Sequence, residues 1–376
     1  MVFIPEYVRT LQPYVAGKPI DELAREKGLT RIVKLASNEN PLGPSPKAIK
    51  AAQESLTQNH RYVDPGAYEL THALAKKIGV RPQQIVCGAG TDSLLAYIVT
   101  AFSDSGDEIL TSEGTFIGIY VNARKQGRIV REVPLADYSY DLARFPDEIT
   151  EKTRIVYIAN PNNPTGTIVT RAEVENFMAK IPSDILVILD EAYYSYAAGI
   201  EEYPDGLTFS YPNLIVTRTM SKDYGLAGLR IGYAVGPEDL IRQLQKVKLP
   251  FEPSLPAQKA GVAALQDDDF IRETVSLNKR SLTELARGLT ELGLAFPPTS
   301  ANFLLLTFDD EITAAGFASA CMERGLILRH VKGFGIPNGV RINSGTDEET
   351  AFALKVMAEV CRSMPIAAPV RPANGI

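Results

Sequence analysis

Asp190 closes an apolar run, Ile185-Leu186-Val187-Ile188-Leu189, and Lys222 follows a second such run inside Thr219-Met220-Ser221-Lys222, with Arg230 a short way on. An acid ending a buried strand, a lysine just past the next strand and an arginine close by suit one chemistry. The lysine would hold an aldehyde cofactor as an imine. The aspartate would keep a ring nitrogen protonated, which makes the ring a better electron sink, and the arginine would grip a phosphate as a two-pronged donor. The cofactor that asks for all three is pyridoxal phosphate.

Other residues fall where such a cofactor would need them. Gly88-Ala89-Gly90-Thr91 joins a strand to a helix start. Small residues there let backbone N–H groups approach a phosphate at the positive helix end, with Thr91 or Asp92 as the helix cap. Phe116 follows the strand at Glu108–Thr111. The prolines of Asn160-Pro161-Asn162-Asn163-Pro164-Thr165-Gly166 fix a loop that can aim the Asn163 amide at a ligand oxygen. Tyr193 lies just beyond Asp190. Asn163 and Tyr193 would bond the ring's phenolic oxygen, while Thr91, Thr219, Ser221 and Arg230 would hold the phosphate. Each has a plain alternative: a tight turn, core packing, a helix cap for Asp190, a solvated lysine, a surface arginine. Together the alternatives require repeated chance placement along one sheet edge, so the cofactor reading prevails.

The elements that must position these residues read as an α/β chain. Short apolar strands at Ile85–Cys87, Glu108–Thr111, Arg128–Val133, Arg154–Ala159, Ile185–Leu189, Leu214–Thr217 and Ile231–Val235 alternate with helical stretches such as Ala67–Ile78. That pattern predicts a large domain with a mostly parallel sheet between helices, and ligands sit beyond the carboxyl ends of such strands. Beyond about residue 262 a long amphipathic helix, roughly Asp269–Leu292, leads to strands at Phe303–Phe308, Leu326–Arg329 and Val340–Asn343 and a last helix. This predicts a smaller α+β domain over 263–376, with a mobile Pro/Ala tail after about residue 364. Residues 1–45, rich in proline and turn formers, predict an N-terminal arm that wraps over another surface without regular helix or central strand. Residues 46–262 form the large cofactor-binding domain.

Composition narrows the function classes. At 376 residues two domains are the default. The net charge of −6, from 39 basic and 45 acidic residues with no basic block, argues against nucleic acid and anionic membranes. No apolar stretch approaches the ~20 residues that span a bilayer, and the N-terminus lacks a signal-peptide layout. Three scattered cysteines and three histidines leave little for a disulfide framework or a metal site, and a reducing cytoplasm fits.

With these residues in view, the chain resembles the fold-type I pyridoxal-phosphate-dependent aminotransferases, most closely the histidinol-phosphate aminotransferase branch, over about residues 10–360. Asn163-Pro164-Thr165-Gly166, Asp190-Glu191-Ala192-Tyr193 and Ser221-Lys222 through Arg230 carry the superfamily likeness. Pro13-Tyr14-Val15-Ala16-Gly17-Lys18-Pro19 and Lys34-Leu35-Ala36-Ser37-Asn38-Glu39-Asn40-Pro41-Leu42-Gly43 point to the branch. The resemblance implies that Lys222 is catalytic, that Asp190 pairs with the pyridine nitrogen, that Phe116 stacks on the ring and that Gly90, Thr91 and Asp92 border the phosphate. It also implies a homodimer with shared sites, Tyr62 reaching the neighbouring subunit's cofactor phosphate. Tyr14, Asn38, Arg329 and Arg341 match substrate contacts, the arginines gripping a distal anion or a carboxylate.

Three positions depart from the branch. Gly114 and Val63 stand where prolines are usual, and Leu249-Pro250-Phe251-Glu252-Pro253-Ser254 replaces a Pro-Tyr-Asn segment. Glu252 would repel a phosphate substrate unless paired or turned away. Transfer between histidinol phosphate and 2-oxoglutarate is the leading expectation. A broad or aromatic amino-acid aminotransferase and a threonine-phosphate decarboxylase remain open.

Overall fold

The computed structural model describes residues 2–11 and 20–364. A short first strand, β1 (Val33–Lys34), stands apart from the main sheet. That sheet holds β2 (Ile85–Gly88), β3 (Glu108–Ser112), β4 (Ile129–Val133), β5 (Thr153–Ala159), β6 (Leu186–Asp190), β7 (Leu214–Thr219) and β8 (Gly232–Val235) in the order β2-β8-β7-β6-β5-β3-β4. From β7 to β4 neighbouring strands are parallel, and β8 is antiparallel to both β2 and β7. Parallel neighbours need crossovers, and helices such as Ile117–Arg124 and Arg171–Met178 supply them.

The continuous apolar runs follow from cover on both faces. Ile155, Tyr157, Ala159 and Ile188 pack with Leu94, Ile98 and Ile119 on one side. Val156, Ile158, Val187 and Leu189 pack with Val174 and Phe177 on the other. Only the edge strand β4 departs, with Arg131 and Glu132 outside the core, and charge on an edge discourages further pairing.

The C-terminal strands are β9 (Phe303–Thr307), β10 (Leu326–Ile327), β11 (Arg329–His330) and β12 (Gly339–Asn343). An antiparallel sheet of order β11-β12-β9 packs with helices Asp268–Glu291 and Asp347–Ser363 around Leu285, Leu289, Phe317, Val340 and Val356. The second helix starts with a full capping box, Thr346 with Glu349.

Several expectations need correction. The N-terminal segment holds regular structure: helices Glu6–Arg9 and Ile20–Lys27, and β1, which pairs in parallel with β10. The proline-poor stretch Ile20–Lys27 buries Leu23, and Val33 and Leu35 join the C-terminal core. The expected strand Leu326–Arg329 breaks at Leu328 into two strands of different sheets. Gly90, with φ of 86°, caps the helix Thr91–Phe102, so Thr91 and Asp92 lie in its first turn rather than at its cap. The proposed Pro/Ala tail lies outside the described residues. Among the described residues no helix is long and apolar enough to cross a membrane.

Candidate active site

The carboxyl ends of β5, β6 and β7 open into a cavity of about 240 Å³, closed on its other side by the N-terminal segment and the β11-β12-β9 sheet. Thirteen of the expected residues line it: Asn38, Thr91, Asp92, Phe116, Asn163, Asp190, Tyr193, Thr219, Ser221, Lys222, Arg230, Arg329 and Arg341. Gly90 is not in the lining; it caps the helix whose first residues, Thr91 and Asp92, are. Tyr62 does not reach it; that side chain is 85% exposed and stacks on Phe251 at 4.4 Å between ring centres. Tyr14 lies outside the described residues.

At the centre, the amine of Lys222 donates to the Ser37 carbonyl at 3.3 Å. Burial, then the positive charges of Arg341 and Arg230, lower its pKa from 10.5 to about 8 despite the opposing Glu39. A neutral amine is therefore accessible near neutral pH, as attack on an aldehyde requires. Asp190, buried at the end of β6, accepts from the Tyr157 hydroxyl at 2.7 Å through Oδ2, while its buried Oδ1 has no hydrogen-bond partner. Burial pushes Asp190 up to about 6 against the hydrogen bond from Tyr157. A buried acid with one oxygen open calls for a donor such as a protonated ring nitrogen.

The N-terminus of the helix Thr91–Phe102 meets the cavity at Thr91 and Asp92, where backbone N–H groups suit an anion. Thr219 and Ser221 hydroxyls meet at 3.0 Å beside it, and Arg230, in the left-handed region at φ 57°, presents its guanidinium against Gly90. Two glycines make this approach available. A Cβ at Gly90 would strike Arg230, and one at Gly232 would strike the Gly90–Thr91 backbone. Asn163 accepts from Arg341 through Oδ1, which leaves its amide N–H groups for a ring oxygen. Tyr193 receives an N–H from Asn38 at 2.8 Å, so its own hydroxyl proton is free to be donated. These residues fit pyridoxal phosphate: an open carboxylate oxygen, a lysine of lowered pKa and a glycine-lined anion cradle surround one cavity. Among the described residues no group of side chains could hold a metal ion.

The family profile "Aminotransferase class I and II" matches residues 30–356. The chain belongs to that family. It is 40% identical to histidinol-phosphate aminotransferase 2 of Carboxydothermus hydrogenoformans, over 94% of this chain and 98% of that relative. It is 42% identical to histidinol-phosphate aminotransferase 1 of Cupriavidus pinatubonensis, over 93% of this chain and 94% of that one. Among solved structures, the histidinol-phosphate aminotransferase of Sinorhizobium meliloti in complex with pyridoxal-5'-phosphate superposes with a TM-score of 0.88. It shares 29% identity over 96% of this chain and 98% of that one. The aminotransferase thus has the fold-type I architecture, uses pyridoxal phosphate and acts on small molecules.

Two departures from the branch pattern gain a physical account in this aminotransferase. Gly114 has φ of 62°, a value proline cannot adopt, and a Cβ there would meet Leu135 and Ile336. Glu252, which would repel a phosphate if its segment bordered the substrate, is absent from the cavity lining. Its carboxylate accepts from the Tyr97 hydroxyl at 2.7 Å and the Ala89 N–H at 3.3 Å, and its carbonyl from the Lys248 amine at 2.7 Å. Sequence reasoning missed Tyr157, Ser37 and Phe334 in the lining. Period-two alternation from Ala159 was the signal available for Tyr157; nothing local marks the other two.

Proposed function

We propose that this aminotransferase exchanges an amino group between histidinol phosphate and 2-oxoglutarate, giving imidazole acetol phosphate and glutamate, a step of histidine biosynthesis. The observation that carries the substrate choice is a pair of arginines in the cavity wall. Arg329 and Arg341 are direct register partners across β11 and β12, so both belong to one patch, and both line the cavity. Like charges placed opposite each other in a sheet repel, and an anion between them relieves this. The carboxylate of Glu252, the acid that weighed against a phosphate, is held by the Tyr97 hydroxyl and the Ala89 N–H and lies outside the cavity lining that carries both arginines. Names of relatives near 40% identity support the same substrate.

When bound, pyridoxal phosphate supplies an aldehyde that accepts the amino group and a ring that draws electrons from the substrate's Cα. Asp190 Oδ1 would hold a proton at the ring nitrogen, and Phe116 would cover the ring face. Asn163 and Tyr193 would bond its phenolic oxygen. Thr91, Thr219, Ser221 and Arg230, with backbone N–H groups of the helix start, would hold the phosphate. Lys222, about half neutral near pH 8, would carry the proton to and from Cα. Asn38 and the paired arginines would orient the substrate.

We further assign residues 46–262 to the large cofactor-binding domain and 263–376 to the small one, with residues 1–45 joined to it. The pairing of β1 with β10 supports that last point. Exposure of Tyr62 beside the half-exposed Phe251 supports a homodimer in which Tyr62 serves the partner's cofactor; sedimentation as a monomer would refute it. Free cysteines, Cys87 and Cys321 both buried, support a cytoplasmic setting, which cell fractionation checks.

The deciding experiment is a half-reaction screen on the yellow holoenzyme. Histidinol phosphate and glutamate should each discharge the colour, and 2-oxoglutarate should restore it. Faster discharge by phenylalanine or tyrosine would make the enzyme an aromatic aminotransferase. Carbon dioxide from phosphothreonine without any half-reaction would make it a decarboxylase.

A further inference from the structure

Tyr157 is fully buried in β5 and lines the cavity, yet the motifs around it assign it nothing. Its position follows from the sheet register. Ala159 is the direct partner of Asp190 across β5 and β6, and strand alternation puts Tyr157, two residues earlier, on the same face. That diagonal separation, roughly 7–8 Å, is within reach of a long side chain. The hydroxyl of Tyr157 donates to Oδ2 of Asp190 at 2.7 Å, and Oδ1 stays open. Burial first, then the charge of Asp190, drives the Tyr157 hydroxyl well above the ordinary tyrosine value, so it stays protonated and acts as the donor.

We propose that Tyr157 is a positioning residue for the cofactor: by engaging Oδ2 it fixes the rotation of the Asp190 carboxylate and aims Oδ1 at the ring nitrogen. A hydrogen bond to the charged form also makes that carboxylate a weaker base. The shared proton then stays on the ring rather than moving to the acid. Burial alone would favour the opposite, since it raises the proton affinity of Asp190, and Tyr157 is the strongest influence opposing it.

The inference rests on the cofactor reading, and the test separates the two. The unaltered chain and Tyr157→Phe, each freed of cofactor, are titrated with pyridoxal phosphate and with an analogue carrying carbon in place of the ring nitrogen. The expected result is an about tenfold weaker uptake of pyridoxal phosphate by Tyr157→Phe, the scale of one hydrogen bond to a charged group. The analogue should bind both proteins alike. Unchanged affinity for pyridoxal phosphate overturns the proposal. An equal loss with both ligands also overturns it, since Tyr157 would then be a packing residue. Failure of the unaltered chain to take up pyridoxal phosphate overturns the cofactor reading instead. If Tyr157→Phe does not fold, a fluorinated tyrosine at 157, a stronger donor of similar size, is expected to tighten pyridoxal phosphate and not the analogue. No change there overturns the proposal.

Discussion

At the carboxyl end of β6 two buried acids stand side by side and face opposite ways. Asp190 points into the cavity with one oxygen bonded to Tyr157 and the other open. Glu191 points to the far side, where Oε2 accepts from Arg218 Nε at 2.9 Å and Nη2 at 2.6 Å and Oε1 accepts from the Gly206 N–H at 2.7 Å. Arg218 also bonds Asp205 at 2.7 Å and lies over the Tyr194 ring at 3.5 Å. Burial raises both acids, Asp190 to about 6 and Glu191 to about 7. The shift alone therefore does not separate a site from a scaffold. Saturation does: the closed network is complete within the protein, whereas the open carboxylate awaits a ligand.

Exchange of each acid for its amide should break the two regions in different ways. Asp190→Asn should lower turnover by about 100-fold or more, the scale of losing one preorganised electrostatic group, with apoprotein stability retained. Glu191→Gln should lower stability by about 3 kcal/mol, because Arg218 loses its fully buried partner and keeps only the partly exposed Asp205, while kcat of the folded fraction changes little. Steady-state kinetics and urea unfolding of both variants check the pair. Similar behaviour of the two would erase the distinction.

The next effect concerns Lys222, which sits on the open side. Its pKa is lowered to about 8, so the neutral amine gains about tenfold per pH unit below that value and levels off above it. Cofactor uptake by apoprotein, followed by absorbance, should climb with pH and flatten near 8. A climb that continues toward the ordinary 10.5 would show that Arg341, Arg230 and burial do not act on this amine.

The smallest expected effect sharpens the closed side. A Cβ at Gly206 would press on Glu191, Leu189 and Val216. Gly206→Ala should therefore cost about 1–2 kcal/mol by overpacking and leave cofactor affinity unchanged. Melting curves with and without pyridoxal phosphate test this; a lost cofactor response would mean the two sides are coupled.

Much of this site was legible in the chain because its residues sit at the ends of apolar strands, and a strand end is a local signal. Asp190, Asn163, Tyr193, Lys222 and Arg230 could be placed that way and do share one cavity. Glu252 could not, because its partners Tyr97 and Ala89 belong to distant stretches of sequence. The pairing of Arg329 with Arg341 needed a register that no run of residues displays, and so did the pairing of β1 with β10. The break at Leu328 falls where Leu326-Ile327-Leu328 gives way to Arg329-His330, but hydropathy alone does not show that the two short strands join different sheets.

By itself the sequence determined the sheet's apolar strands, the loops at their ends and the cofactor chemistry, because those depend on residue type and short spacing. Only the tertiary structure decided which buried polar groups are already satisfied. A carboxylate's function turns on the donors around each of its oxygens, and those donors come from strands and loops far apart in the chain. That is why Asp190 and Glu191, adjacent and both acidic, end as a carboxylate with one unpartnered oxygen in the cavity wall and a closed structural network.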